Sequence, residues 1–97
     1  MLDNNWINKD TKQLFEAILK LKTVSESEAF FRDLLTLSEI REFANRFRIA
    51  RMLAEKNRKP YWQIAKDART TTATVTRVAQ WLKSGMGGYR LILNRLK

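Results

Sequence analysis

Five of the seven residues from Thr70 to Thr76 are threonine. Threonine is a poor helix former, and an ordinary surface helix does better with Glu, Lys or Gln. The run has a chemical use instead. A hydroxyl both donates and accepts a hydrogen bond, so it suits a base edge or a phosphate oxygen, and the threonine methyl suits contact with a thymine methyl. Short side chains at the leading end of a helix let it enter a DNA major groove. Other chemistries lack their residues. The 97-residue chain has neither cysteine nor histidine, which removes thiolate and imidazole ligands and the commonest general base. No nucleophile–base pair, carboxylate cluster of metal-binding spacing or phosphate-cradling loop replaces them. Gly85–Gly88 is too short for such a loop and follows a helical pattern rather than a strand. The expectation is a protein that is not an enzyme and holds no metal.

Charge supports the same reading. Residues 41–97 carry fourteen Lys/Arg against three Asp/Glu, a net +11, whereas residues 1–40 are net −2. The whole chain is +9 with a pI near 10.4. Basic charge gathered around the threonine run is the electrostatic footprint of a phosphate-binding face. A basic module that binds nucleic acid by charge alone, or binds an acidic protein, is the alternative. No signal peptide, long apolar run or basic amphipathic presequence is visible, so the expected location is cytoplasmic.

The elements that must position the run are helical. Three Gly and one Pro punctuate the chain, and no strand-type alternation persists. Leu14, Phe15, Ile18, Leu19 and Leu21 mark a first helix, with Asp10 or Thr11 as its cap. Ser25 and Glu28 form a capping box for a second helix that buries Phe30, Phe31, Leu34 and Leu35. Thr36 and Glu39 form another. It opens a long helix to about Lys56, with Ile40, Phe43, Ala44, Phe47, Ala50, Met52 and Leu53 as its apolar set. Pro60 begins a fourth helix, the threonine run a fifth, and Tyr89–Leu96 a sixth. Six helices with short connections imply one all-α domain over 1–97: dimerisation helices over 1–57, a helix-turn-helix over 60–84 and a C-terminal helix over 88–97.

The fourth and fifth helices have helix-turn-helix spacing. Counting from Tyr61, the positions that must be buried or small are Ile64, Ala65, Ala68, Val75 and Val78, and each is filled appropriately. Ala79 and Leu82 extend the stripe. The outer face, Thr71, Thr72, Ala73, Thr76, Arg77 and Gln80, is the candidate base-reading set, with Thr71 also placed to cap the helix. Arg58, Lys66, Arg69 and Thr74 are candidates for phosphate contacts, which position without specifying. Arg69 occupies the turn position that normally needs glycine for its positive φ, a strain on the order of 1 kcal/mol. Thr70 replaces the usual buried aliphatic.

The segment from Leu34 to Trp81 resembles the Trp repressor superfamily, and within it the Trp-repressor-like YerC/YecD proteins. The marks are Leu34-Leu35-Thr36, Arg46-Phe47-Arg48-Ile49 on the long helix, and the run from Thr72 to Arg77. The resemblance implies a homodimer intertwined through its N-terminal helices. Such a dimer carries two reading heads and acts as a transcriptional regulator, a repressor at a palindromic operator in double-stranded DNA. It also implies a co-repressor site in which Arg46 and Arg77 sandwich the indole of L-tryptophan, with Leu35 and Thr36 supplied by the partner chain. Two positions depart from that pattern. Val78 stands in place of a glycine, and Trp81 in place of a small serine, where its indole would take the ligand's space. The expectation is therefore that Arg46 and Arg77 serve as ion-pair or phosphate contacts and that no cofactor is required, with L-tryptophan binding as the alternative.

Overall fold

The computed structural model describes residues 5–97; residues 1–4, where the expected first domain begins and a leader would begin, lie outside the described residues. Six helices follow one another: α1 (Lys9–Ile18), α2 (Val24–Leu34), α3 (Leu37–Ala54), α4 (Tyr61–Asp67), α5 (Thr72–Ser84) and α6 (Gly88–Arg95). There is no strand among the described residues. The chain divides into two units, Met1–Ile40 and Arg41–Lys97.

In the N-terminal unit the caps differ from the sequence expectation. Asn8, not Asp10 or Thr11, caps α1. Its Oδ1 accepts from the Thr11 amide at 3.0 Å, and Thr11 Oγ1 accepts from the Asn8 amide at 2.9 Å. This is a reciprocal box with threonine in the place usually taken by Glu or Gln. The expected Ser25–Glu28 box of α2 is not formed, and Thr23 caps the helix instead. Thr23 accepts from the Glu26 amide at 3.0 Å, and Glu26 Oε1 reaches back to the Lys22 amide at 2.9 Å. The expected burial is also corrected: neither α1 nor α2 contains a buried residue. Phe30, Phe31 and Leu35 are half-buried and Leu34 is exposed. Leu19 and Val24 are 82% and 77% exposed. These two helices have apolar stripes and no core of their own to bury them in.

The box opening α3 is as expected: the Thr36 amide donates to Glu39 Oε1 at 3.0 Å and the Glu39 amide to Thr36 Oγ1 at 3.1 Å. The helix ends at Ala54 rather than Lys56. Its apolar residues form two stripes about a third of a turn apart at 3.6 residues per turn. Ile40, Phe43, Ala44 and Phe47 form one, and none of them is fully buried. Ile49, Ala50 and Leu53 form the other and are buried. Ile49 was absent from the expected apolar set.

The core of the C-terminal unit comprises Ile49, Ala50, Leu53, Ile64, Ala65, Ala68, Val75, Val78 and Ala79. The five helix-turn-helix packing positions are all within it, as the spacing requires. Leu82 and Tyr89 pack against its edge. Glycine is required at two places near α6. Gly87 has φ 84°, and a Cβ on Gly85 would lie 2.5 Å from the Trp81 carbonyl oxygen.

Candidate nucleic-acid interface

Local chemistry closes α4 and opens α5. The Thr70 amide donates to Ala65 O at 2.9 Å and the Arg69 amide to Lys66 O at 3.1 Å. This paired arrangement is a Schellman motif, which needs a left-handed residue at the position after the cap. Arg69 supplies it with φ 55°, the positive-φ non-glycine residue of the described chain. Thr71 then caps α5, its Oγ1 accepting from the Thr74 amide at 3.2 Å. The Thr71 and Thr74 hydroxyls are themselves 3.1 Å apart and hydrogen-bonded.

Helical geometry sorts the candidate residues by face. Thr71, Thr72, Ala73, Thr76, Arg77 and Gln80 are all exposed. Thr72, Thr76, Ala73 and Gln80 share the side of α5 that points away from the core. Thr71 spends its hydroxyl on the cap. Arg77 flanks the group, next to Thr74 and Trp81. Of the phosphate candidates, Lys66 and Arg69 are exposed, and Thr74 is half-buried with its hydroxyl engaged by Thr71. Arg58 lies with its guanidinium carbon 5.1 Å from the centre of the Tyr61 ring, a cation–π placement that holds the charge at the start of α4.

Asp67 braces the far end of α4. Its Oδ2 accepts from Lys59 Nζ at 2.9 Å and its Oδ1 from Gln63 Nε2 at 2.9 Å. The Lys59 bond, then the Gln63 bond, hold the Asp67 carboxyl below the ordinary carboxylate range. Lys59 is thus committed to an ion pair, whereas Lys66 and Arg69 have none among the described residues. Two further residues missed by the sequence reading reach the turn from α3. Asn45 donates to Ala68 O and Arg48 to Asp67 O, each at 3.0 Å. Contacts spanning 23 and 19 residues carry no local sequence signal.

Between α3, α5 and α6 lies an open cavity of about 830 Å³. Arg46 and Arg77 both line it, as does Trp81, with α6 contributing Tyr89. The expectation that Trp81 fills this space is not met: its indole forms one wall and remains 51% exposed. Arg46 is ion-paired with Glu42 at 3.0 Å, one turn earlier on α3. Leu35 and Thr36 belong to the N-terminal unit and are not among the lining residues. The described residues contain no group of acidic side chains able to hold a metal, and no helix among them is long and apolar enough to cross a membrane.

Two short helices at a Schellman turn, braced by a longer helix and presenting small polar side chains, define a helix-turn-helix domain. Residues 9–97 match the family described as Trp repressor protein. The chain belongs to that family. It is 42% identical over 89 residues to the uncharacterized protein YerC of Bacillus subtilis (strain 168), covering 92% of this chain and 84% of that protein. Its fold matches the crystal structure of a TrpR-like protein from Eubacterium eligens ATCC 27750 with a TM-score of 0.88 and 38% identity, over 97% of this chain and 95% of the other. A Staphylococcus aureus crystal structure, proposed to be of a Trp repressor, matches with a TM-score of 0.88 and 32% identity, over 99% and 94% of the two chains.

Proposed function

We propose that this protein is a sequence-specific DNA-binding transcriptional regulator that acts as a homodimer, and that it represses by occupying a promoter and excluding polymerase. The observation that carries the proposal is the division of α5. Val75, Val78 and Ala79 are buried, while Thr72, Ala73, Thr76 and Gln80 are exposed. Family membership supports DNA as the partner. Lys66 and Arg69, and more widely the net +11 of residues 41–97, supply the phosphate attraction.

The homodimer is supported by the N-terminal unit. Trp6, Ile7, Phe15, Leu19, Val24 and Leu34 are exposed, an apolar load that a second copy would cover. In this reading the helices within residues 1–57 dimerise, residues 60–84 form the helix-turn-helix that reads DNA, and residues 88–97 form a C-terminal helix. Two-fold symmetry calls for a palindromic operator with half-sites one helical turn apart, about 34 Å. Such a regulator works on DNA in the cytoplasm.

The Arg46–Glu42 ion pair and the burial of Val78 in the core support a reading head held by packing, without an L-tryptophan co-repressor. Selection of bound duplexes from a random pool tests the central reading. A palindromic consensus is expected. A pool that stays random would establish instead the charge-driven module that the basic C-terminal half also supports.

A further inference from the structure

The last turn of α4 leaves two carbonyls that no backbone amide reaches, and α3 takes both. Ile64, Ala65 and Lys66 carbonyls are satisfied by the amides of Ala68, Thr70 and Arg69. Asp67 O and Ala68 O remain, and they accept from Arg48 Nη1 and Asn45 Nδ2, each at 3.0 Å. Asn45 and Arg48 are three residues apart, so they are neighbours on one face of α3. The two carbonyls immediately precede Arg69, where the chain turns toward α5.

The packing around this turn is smooth. Four of the nine buried core residues, Ala50, Ala65, Ala68 and Ala79, are alanine. Apolar contact is non-directional, and alanine offers little ridge for a facing helix to lock into. A hydrogen bond, by contrast, fixes both distance and angle. We propose that Asn45 and Arg48 are positioning residues for the reading helix. They pin the carbonyl end of α4 to α3 and so set the angle at which α5 presents Thr72 and Thr76, without touching DNA themselves. The proposal rests on α5 being the reading helix. Loosening the Asn45 pin leaves the positive charge in place, so general affinity for DNA survives and discrimination does not.

Asn45→Leu removes the donor with little change in volume. Arg48→Met removes the other donor and keeps the stem. Two measurements decide. In amide hydrogen exchange on the protein, both variants are expected to speed exchange at Arg69 and Thr70 by about tenfold, the scale of one missing hydrogen bond, with Ile49 and Leu53 amides changing far less. For Asn45→Leu, the ratio of affinities for the selected duplex and a scrambled one is expected to fall about tenfold, with scrambled affinity unchanged. Equal acceleration at all four amides, or turn amides unchanged in both variants, overturns the proposal. So does an undiminished ratio in Asn45→Leu. If the wild type prefers no duplex, the DNA-reading assignment fails by itself, and the exchange measurement still decides whether α3 positions the turn.

Discussion

The Thr70 amide donates to the carbonyl of Ala65 at 2.9 Å, and this bond holds the intervening Arg69 at φ 55°. The helix-turn-helix therefore pivots on a residue under backbone strain that also carries a charge. Those two properties separate by mutation. Arg69→Gly and Arg69→Ala both delete the charge, but only glycine relieves the left-handed strain. The glycine variant is expected to be more stable than the alanine variant by about 1 kcal/mol, measured by urea unfolding. Both are expected to weaken selected and scrambled duplexes alike and to reduce the salt slope by about 1. Equal stability of the two variants would show that the turn relaxes.

Thr72 and Thr76 are expected to carry discrimination. Replacing both by alanine keeps the helix, since alanine is the better helix former. Specific affinity is expected to fall by about 1–3 kcal/mol for each base pair that is no longer read, with scrambled affinity unchanged in a competition gel. An unaltered preference would remove α5 from the role of reader.

Acid should weaken the fold through two carboxylates. The Thr36 backbone amide lowers Glu39 below the ordinary range, and the Lys59 bond does so for Asp67. A depressed folded value stabilises the protein above the unfolded value, near 4 for such groups. That contribution is lost as pH falls from there through the folded values. The Glu39→Gln/Asp67→Asn variant is expected to show a flatter decline in urea midpoint between about pH 5 and pH 3. Parallel declines would mean that neither bond contributes.

Gly85 and Trp81 leave no room for a side chain between them. A Cβ on Gly85 would meet Trp81 O at 2.5 Å and the indole Cε3 at 2.7 Å. The indole can swing away, but the carbonyl is tied by the Gly85 amide at 2.9 Å. Gly85→Ala is expected to cost about 1–3 kcal/mol and to shift the Trp81 emission in a protein carrying Trp6→Phe and Trp62→Phe. An unchanged spectrum and midpoint would refute this account of the glycine.

Calorimetry with L-tryptophan addresses the cavity. No binding is expected at micromolar concentrations. Micromolar binding together with tighter operator affinity would restore tryptophan as the effector.

Much of this was legible in the chain. Ile64, Ala65, Ala68, Val75 and Val78 follow from spacing alone, because two crossing helices fix which positions touch. Thr36 and Glu39 were legible because a capping box is local. Asn8 was missed because threonine does the work of glutamate at the third helical position. The burial of Phe30 and Phe31 was misjudged because an apolar stripe shows that a residue seeks cover, not that its own chain provides it. Ile49 was missed because α3 changes its buried face midway, and a single periodicity cannot follow that change. Asn45 and Arg48 act across long sequence separations, beyond the reach of any local pattern.

The nine-residue core includes four alanines, and α5 gives that core Val75, Val78 and Ala79 while Thr72, Ala73, Thr76 and Gln80 stay exposed. A larger residue at Ala65 or Ala79 would push the helices apart, so the inside has little freedom to drift. Thr72, Ala73, Thr76 and Gln80 have no such constraint from folding. If α5 reads DNA as proposed, duplicated copies of this domain are free to acquire new target sequences by changing a few outward side chains, while the scaffold beneath them stays the same.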